Sequence, residues 1–233
     1  MTKLLLFDID GTLVLTGGAG ARAMIRAFGD VFGIYDGFDR VPMAGRTDAW
    51  IVAQITALHG IDCHPEGLRH FRESYLQYLP GEIRQPGPRK GIMPGVRDLL
   101  DALAPRDDVF LALLTGNFEQ GARVKLEYFD LWRYFRCGAF GDTAHERNGL
   151  LAEVLGRAAV CGASGIGPRD TFVIGDTPFD VAVAASGGAR SIAVATGGHG
   201  VDALAASGAD VVFQDLGDLA AVLNALQLEE RLE

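Results

Sequence analysis

The sequence predicts an α/β fold: a mostly parallel sheet covered by helices on both faces, with a helical cap inserted after the first strand. From about Pro94 onward, short continuous apolar runs alternate with amphipathic helical stretches. That is the pattern of strands buried on both faces and joined by crossover helices. Between Thr16 and Lys90 the apolar residues fall at helical spacing and no run reads as a strand. Glycine- and proline-rich joins bracket that stretch, as hinges around an inserted segment would.

The first strand is expected over residues 3–7, where Leu4-Leu5-Leu6-Phe7 shows no polar alternation. Thr16-Gly17-Gly18-Ala19-Gly20 follows and reads as a hinge, because it lacks the GxxxxGK[ST] and GxGxxG spacings of phosphate-cradling loops. Helices are expected at about 19–33, 46–59 and 65–79; Ile51, Ile55 and Leu58 mark the apolar face of the second. The return join runs from Gly81 to Gly95 and contains Gln85-Pro86-Gly87-Pro88. The resulting division is a core of residues 1–15 and 91–233 around a cap of residues 16–90. Further strands are expected at Val109–Leu114, weakly at Cys137–Phe140, and at Thr171–Ile174, Ser191–Val194 and Asp210–Phe213, the last at an edge.

A formal charge of −9 argues against a nucleic-acid or anionic-membrane surface, which needs clustered lysine and arginine. No run of eighteen apolar residues and no signal-peptide pattern is found, so the expectation is a soluble, cytoplasmic protein. Cys63, Cys137 and Cys161 are odd in number, far apart and without CxxC spacing, which fits reduced thiols better than disulfides or zinc.

Ligands of open α/β sheets bind beyond the carboxyl ends of the strands. Read in turn, those ends collect a consistent set of groups. Asp8 and Asp10 follow the first strand one residue apart, so strand alternation sends them to the same side. Thr115-Gly116-Asn117 follows the second core strand. Its hydroxyl and the N–H groups opening the next helix suit anionic oxygens, and Asn117 equally suits a plain helix cap. Gly175-Asp176-Thr177-Pro178-Phe179-Asp180 ends the fourth, with Pro178 placed for a first helical turn. Arg147, in Glu146-Arg147-Asn148, lies between them and on its own reads as a surface charge. Converging carboxylates repel by roughly 4 kcal/mol per pair at 4 Å and an effective dielectric near 20. Oxygen-only ligands then favour a hard cation, above all Mg²⁺.

These motifs together resemble the haloacid dehalogenase-like hydrolase superfamily, and within it the capped phosphatases similar to phosphoglycolate phosphatase. The resemblance rests on Asp8-Ile9-Asp10-Gly11-Thr12-Leu13 paired with Gly175-Asp176 and Asp180, with Thr115 and Arg147 in order between them. It implies a Rossmann-like core with an inserted α-helical cap. It also implies that Asp8 is the nucleophile and that Asp10 is the acid and base. Mg²⁺ would be held by Asp8, the Asp10 backbone carbonyl and Asp176, with Asp180 in or beside that shell. Thr115, Gly116, Asn117 and Arg147 would grip the phosphoryl group of a small phosphorylated metabolite. Lysine is usual at the third motif. Arg147 is preferred here because Lys125 lies in a helix too close to the second motif. Asp10 argues against dehalogenases, which usually lack this second acid, and phosphonatases, which carry Ala there. A phosphomutase resembling β-phosphoglucomutase and a non-catalytic binding protein of the same fold are the alternatives. In the cap, Arg46 reads as a substrate contact or a surface arginine. His199 reads as loop or rim, and His59, His64, His70 and His145 show no ligand spacing.

Overall fold

A computed structural model describes residues 2–142, 147 and 149–228; His145, Glu146 and Asn148 lie outside the described residues. In chain order the elements begin with β1 (Lys3–Phe7), β2 (Val14–Leu15), α1 (Ala19–Phe32), α2 (Asp48–Leu58), α3 (Pro65–Glu82), β3 (Gly91–Ile92), α4 (Val96–Leu103), β4 (Val109–Leu114) and α5 (Glu119–Tyr128). They continue with β5 (Cys137–Ala139), α6 (Gly149–Val160), β6 (Thr171–Gly175), α7 (Pro178–Ser186), β7 (Arg190–Val194), α8 (Val201–Ala206), β8 (Val211–Phe213) and α9 (Leu219–Ala225).

The main sheet has six strands in the order β5-β4-β1-β6-β7-β8, and every neighbouring pair is parallel. Both faces are covered, which is why its strands read as unbroken apolar runs. On one face Leu5 and Phe7 of β1, Leu111 and Leu113 of β4 and Phe172 and Ile174 of β6 pack with Leu99 and Leu103 of α4, Leu126 of α5 and Val222 of α9. On the other, Leu4, Leu6, Phe110, Ala112 and Val173 meet Leu150 and Val154 of α6 and Val183 of α7. Strand alternation thus splits each run between two layers.

The helices between β2 and β3 bury a separate apolar cluster built on Phe28, Ile55, Phe71 and Tyr75, with the Phe28 and Phe71 ring centroids 4.5 Å apart. α2 starts two residues later than the sequence suggests, because Thr47 caps it by accepting the Trp50 N–H at 3.2 Å. α3 runs past Pro80 to Glu82. The lost donor falls in the last turn, where Glu82 pairs with Arg22 at 2.8 Å and Arg26 at 3.1 Å and Ile83 is buried. The antiparallel ribbon β2–β3 was not legible beforehand, since two residues per strand carry no periodicity. It closes the neck of the helical segment by pairing Val14 with Ile92 and Leu15 with Gly91.

Gly95, at the start of α4, has φ +78°, and a Cβ there would lie 2.0 Å from the Leu216 backbone. Gly95→Ala combines left-handed strain with a clash that no rotamer relieves. It should lower the urea unfolding free energy by at least about 2 kcal/mol, read from equilibrium denaturation.

Candidate active site

Because β1 sits between β4 and β6, the residues that follow these three strands emerge side by side. After β1 the chain folds back at once, with the Leu13 and Val14 N–H groups donating to the Ile9 carbonyl at 2.9 and 3.0 Å. Gly11 makes this turn at φ +86°, and a Cβ on it would sit 2.5 Å from an Asp176 carboxylate oxygen. A side chain here would strain the turn and strike the acid beside it.

Asp8, Asp176 and Asp180 are all buried, and each offers an oxygen within 4.8 Å of the others'. Asp180 is held twice. Its Oδ2 accepts the Thr177 N–H at 3.1 Å and the Thr177 hydroxyl at 2.7 Å, fixing the first turn of α7, while Oδ1 accepts from Arg147 Nη2 at 2.5 Å. The same Arg147 nitrogen is 3.1 Å from Asp8 Oδ1. Arg147 is therefore buried inside the acidic cluster, and its reading as a solvated surface charge is overturned.

Burial dominates the electrostatics. It pushes Asp176 up to about 8, helped by the Asp8 and Asp180 charges and opposed by Arg147. Asp8 is raised to about 6 by burial, against the pull of Arg147 and with the push of Asp180. One guanidinium does not balance three acids. The oxygen-only donor set, its closeness and the raised pKa values all fit a further divalent cation.

Asp10 is not in this trio. Its Oδ2 accepts from Asn117 Nδ2 at 2.9 Å and from Lys125 Nζ at 2.6 Å. The Asp10 side chain is thus engaged by Asn117 and Lys125 rather than by the trio. Thr115 is fully buried, and its hydroxyl accepts from Asn117 Nδ2 at 2.8 Å. Asn117 does not cap α5. The Phe118 N–H donates to Asp48 Oδ2 at 2.8 Å and the Glu119 N–H to Asp142 Oδ2 at 2.8 Å. Those two amides, which the sequence offered for anionic oxygens, are taken by carboxylates.

Lys125 was dismissed on sequence distance, yet it is buried and bonded to Asp10 and to Asn117 Oδ1, the latter at 2.6 Å. Helical geometry explains this. Residues 117, 121 and 125 lie near one line, and helix side chains lean toward the N-terminus, so a lysine two turns in reaches back to the strand end. Asp48 was missed as well; burial raises it to about 7, with Lys125 drawing it down.

A cavity of about 440 Å³ opens over these groups, lined by Asp8, Asp10, Arg147 and Asp176 below and by Met24, Met43, Ile51 and Tyr75 from the inserted helical segment. Arg46 also lines it, with its guanidinium 4.4 Å from the Trp50 ring and 4.3 Å from the Phe179 ring and its Nε buried without a hydrogen-bond partner among the described residues. Gly197 and Gly198 reach the cavity, whereas His199 does not line it.

Residues 2–188 match the model of the haloacid dehalogenase-like hydrolase family. The chain is 29% identical over 231 residues to "Phosphoglycolate phosphatase 1" of Pseudomonas aeruginosa, covering 94% of this chain and 79% of that one. It is 28% identical over 222 residues to a phosphoglycolate phosphatase of Rhodospirillum rubrum, covering 94% and 90%. The fold matches a variant of CbbY from Rhodobacter sphaeroides, solved with xylulose-(1,5)bisphosphate, at a TM-score of 0.73 and 19% identity, covering 94% and 96%.

Asp8, Asp48 and Asp176 all bind protons more tightly folded than unfolded, so their contribution to stability is full below about 3.8 and is lost as pH rises through about 6, 7 and 8. In EDTA the melting midpoint should fall as the pH is raised from about 5 to about 8. Millimolar Mg²⁺ should reverse most of the drop at the upper end. Differential scanning fluorimetry across that range checks both; equal slopes with and without the cation would contradict a metal role for the cluster.

Proposed function

The chain belongs to the haloacid dehalogenase-like hydrolases, as a phosphatase, and from that membership we propose that it cleaves a small phosphomonoester metabolite, phosphoglycolate-like or a sugar phosphate. The proposed reaction depends on Mg²⁺ and passes through an aspartyl-phosphate on Asp8. The observation that carries this reading is the meeting of Asp8, Asp176, Asp180 and Arg147 at one end of a cavity that Asp10 also lines.

In this reading an Asp8 carboxylate oxygen attacks phosphorus and forms the new P–O bond. As the ester P–O bond breaks, Asp10 passes a proton to the departing alkoxide, and the alcohol leaves. Asp10, now a carboxylate, takes a proton from water attacking the aspartyl-phosphate; inorganic phosphate departs and the Asp8 carboxylate is restored. Arg147 holds Asp8 in place and offsets charge spreading over the phosphoryl oxygens, with Thr115 and Gly116 beside it. Mg²⁺ fits the oxygens of Asp8 and Asp176, with Asp180 beside them, and when bound supplies Lewis-acid neutralisation of charge on the phosphoryl group. Helices α1–α3 act as a cap (residues 16–90) over the core, excluding water and presenting Arg46 for substrate selection.

A phosphate-release screen over phosphorylated metabolites, with Mg²⁺ and with EDTA, tests the reading. Activity should require the cation, and Asp8→Asn should lower turnover by at least about a thousandfold while the protein stays folded by circular dichroism. Substantial turnover by folded Asp8→Asn protein would refute the covalent route. Arg46→Ala should reorder the preferred substrates without moving the Mg²⁺ dependence; a uniform loss across the panel would remove Arg46 from substrate recognition.

A further inference from the structure

Lys125 is buried in the last turn of α5, and although the helix dipole favours a cation at that end, its ammonium is turned away from solvent and, among the described residues, ion-pairs with the Asp10 carboxylate. A buried ammonium in that place needs a reason. Three hydrogen bonds close a ring: Lys125 Nζ to Asp10 Oδ2 at 2.6 Å, Lys125 Nζ to Asn117 Oδ1 at 2.6 Å, and Asn117 Nδ2 to Asp10 Oδ2 at 2.9 Å. All the bonds to Asp10 fall on one oxygen; Oδ1 has no hydrogen bond among the described residues. Gly20 on α1 lies against the ammonium, where a Cβ would meet Nζ at an ordinary contact distance of 3.4 Å. Asp48 faces the same ammonium electrostatically from α2 and is itself bonded to the Phe118 N–H.

We propose that Lys125 is a positioning residue: with Asn117 it clamps Oδ2 of Asp10, so that Oδ1 is held for proton exchange with the leaving oxygen and later with water. This rests on the acid–base role of Asp10 given above. Asp10 lies on a tight turn with its side chain 41% exposed, and among the described residues only Lys125 and Asn117 hydrogen-bond its carboxylate. The clamp fixes its rotamer, and general acid catalysis is sensitive to this because the proton must be aligned as the P–O bond breaks.

The test is leaving-group dependence, which a purely architectural lysine would not change. An alkoxide needs a proton as it departs, whereas p-nitrophenolate does not. Lys125→Met should lower kcat/KM, which reports departure of the leaving group, by about 30-fold or more for alkyl phosphates and by less than about 3-fold for p-nitrophenyl phosphate. Asp10→Asn is measured beside it and should show the same asymmetry more strongly. A loss of kcat/KM in Lys125→Met that is equal for both leaving groups overturns the positioning role while leaving Asp10 intact. No asymmetry in Asp10→Asn overturns the acid–base reading and this inference together. Lys125→Gln, which keeps a donor but shortens the reach, should fall between Met and wild type. If neither variant folds by circular dichroism, the ring is architectural and the proposal is wrong.

Discussion

Three buried carboxylates share one small volume, and nearly everything about the site follows from the need to keep them there. With Asp8, Asp176 and Asp180 within 4.8 Å of one another, each ionised pair repels by at least about 3.5 kcal/mol at an effective dielectric near 20. Burial adds to this by removing water from each charge, which is why Asp176 is pushed up to about 8. Arg147 is the internal answer, its Nη2 touching two of the three acids. It leaves the group still short of positive charge. A cluster in this state fits a small hard cation. Charge shortage is what makes the site receptive.

The fold is arranged to impose that crowding. In a parallel sheet all strands deliver their carboxyl ends to one edge, and the order β4-β1-β6 makes three delivery points adjacent. Packing on both faces then fixes those strands, because Phe7, Leu113 and Ile174 lie in one apolar layer and Leu6, Ala112 and Val173 in the other. The core supplies the rigidity that electrostatics would otherwise undo. Asp180 shows the economy of the arrangement: one oxygen holds the first turn of α7 through Thr177, and the other holds Arg147.

The strands and the acidic pairs were legible in the sequence because both are local signals. An unbroken apolar run ending in acids, as at Leu4-Leu5-Leu6-Phe7-Asp8, contains strand and site in consecutive residues. The mostly parallel sheet and the helices at about 19–33, 46–59 and 65–79 were readable for the same reason. What escaped were contacts set by helix geometry and by the meeting of distant elements. Lys125 was set aside on its distance from Thr115, although helical spacing from Asn117 would have aligned it with the site. Asp48 looked like an ordinary acid opening a helix; nothing local says that its carboxylate takes an amide of α5 instead. Arg147 alone looked like a surface charge because burial is a property of the folded whole.

Asp48 also bears on how the helical segment and the sheet communicate. Its N–H donates to the Gly116 carbonyl at 2.7 Å and its carboxylate accepts the Phe118 N–H at 2.8 Å, so the start of α2 is bonded on both sides of Asn117. Asn117 in turn holds Asp10. Any displacement of α2 from the sheet must break those two bonds, uncovering the α5 amide and the acid that occupies it, both of which are buried here. The same displacement takes the Asp48 carboxylate away from Lys125, whose ion pair with Asp10 does not involve α2. The residues above the cavity and the Asp10 carboxylate are thus joined by a short chain of bonds through one side-chain amide.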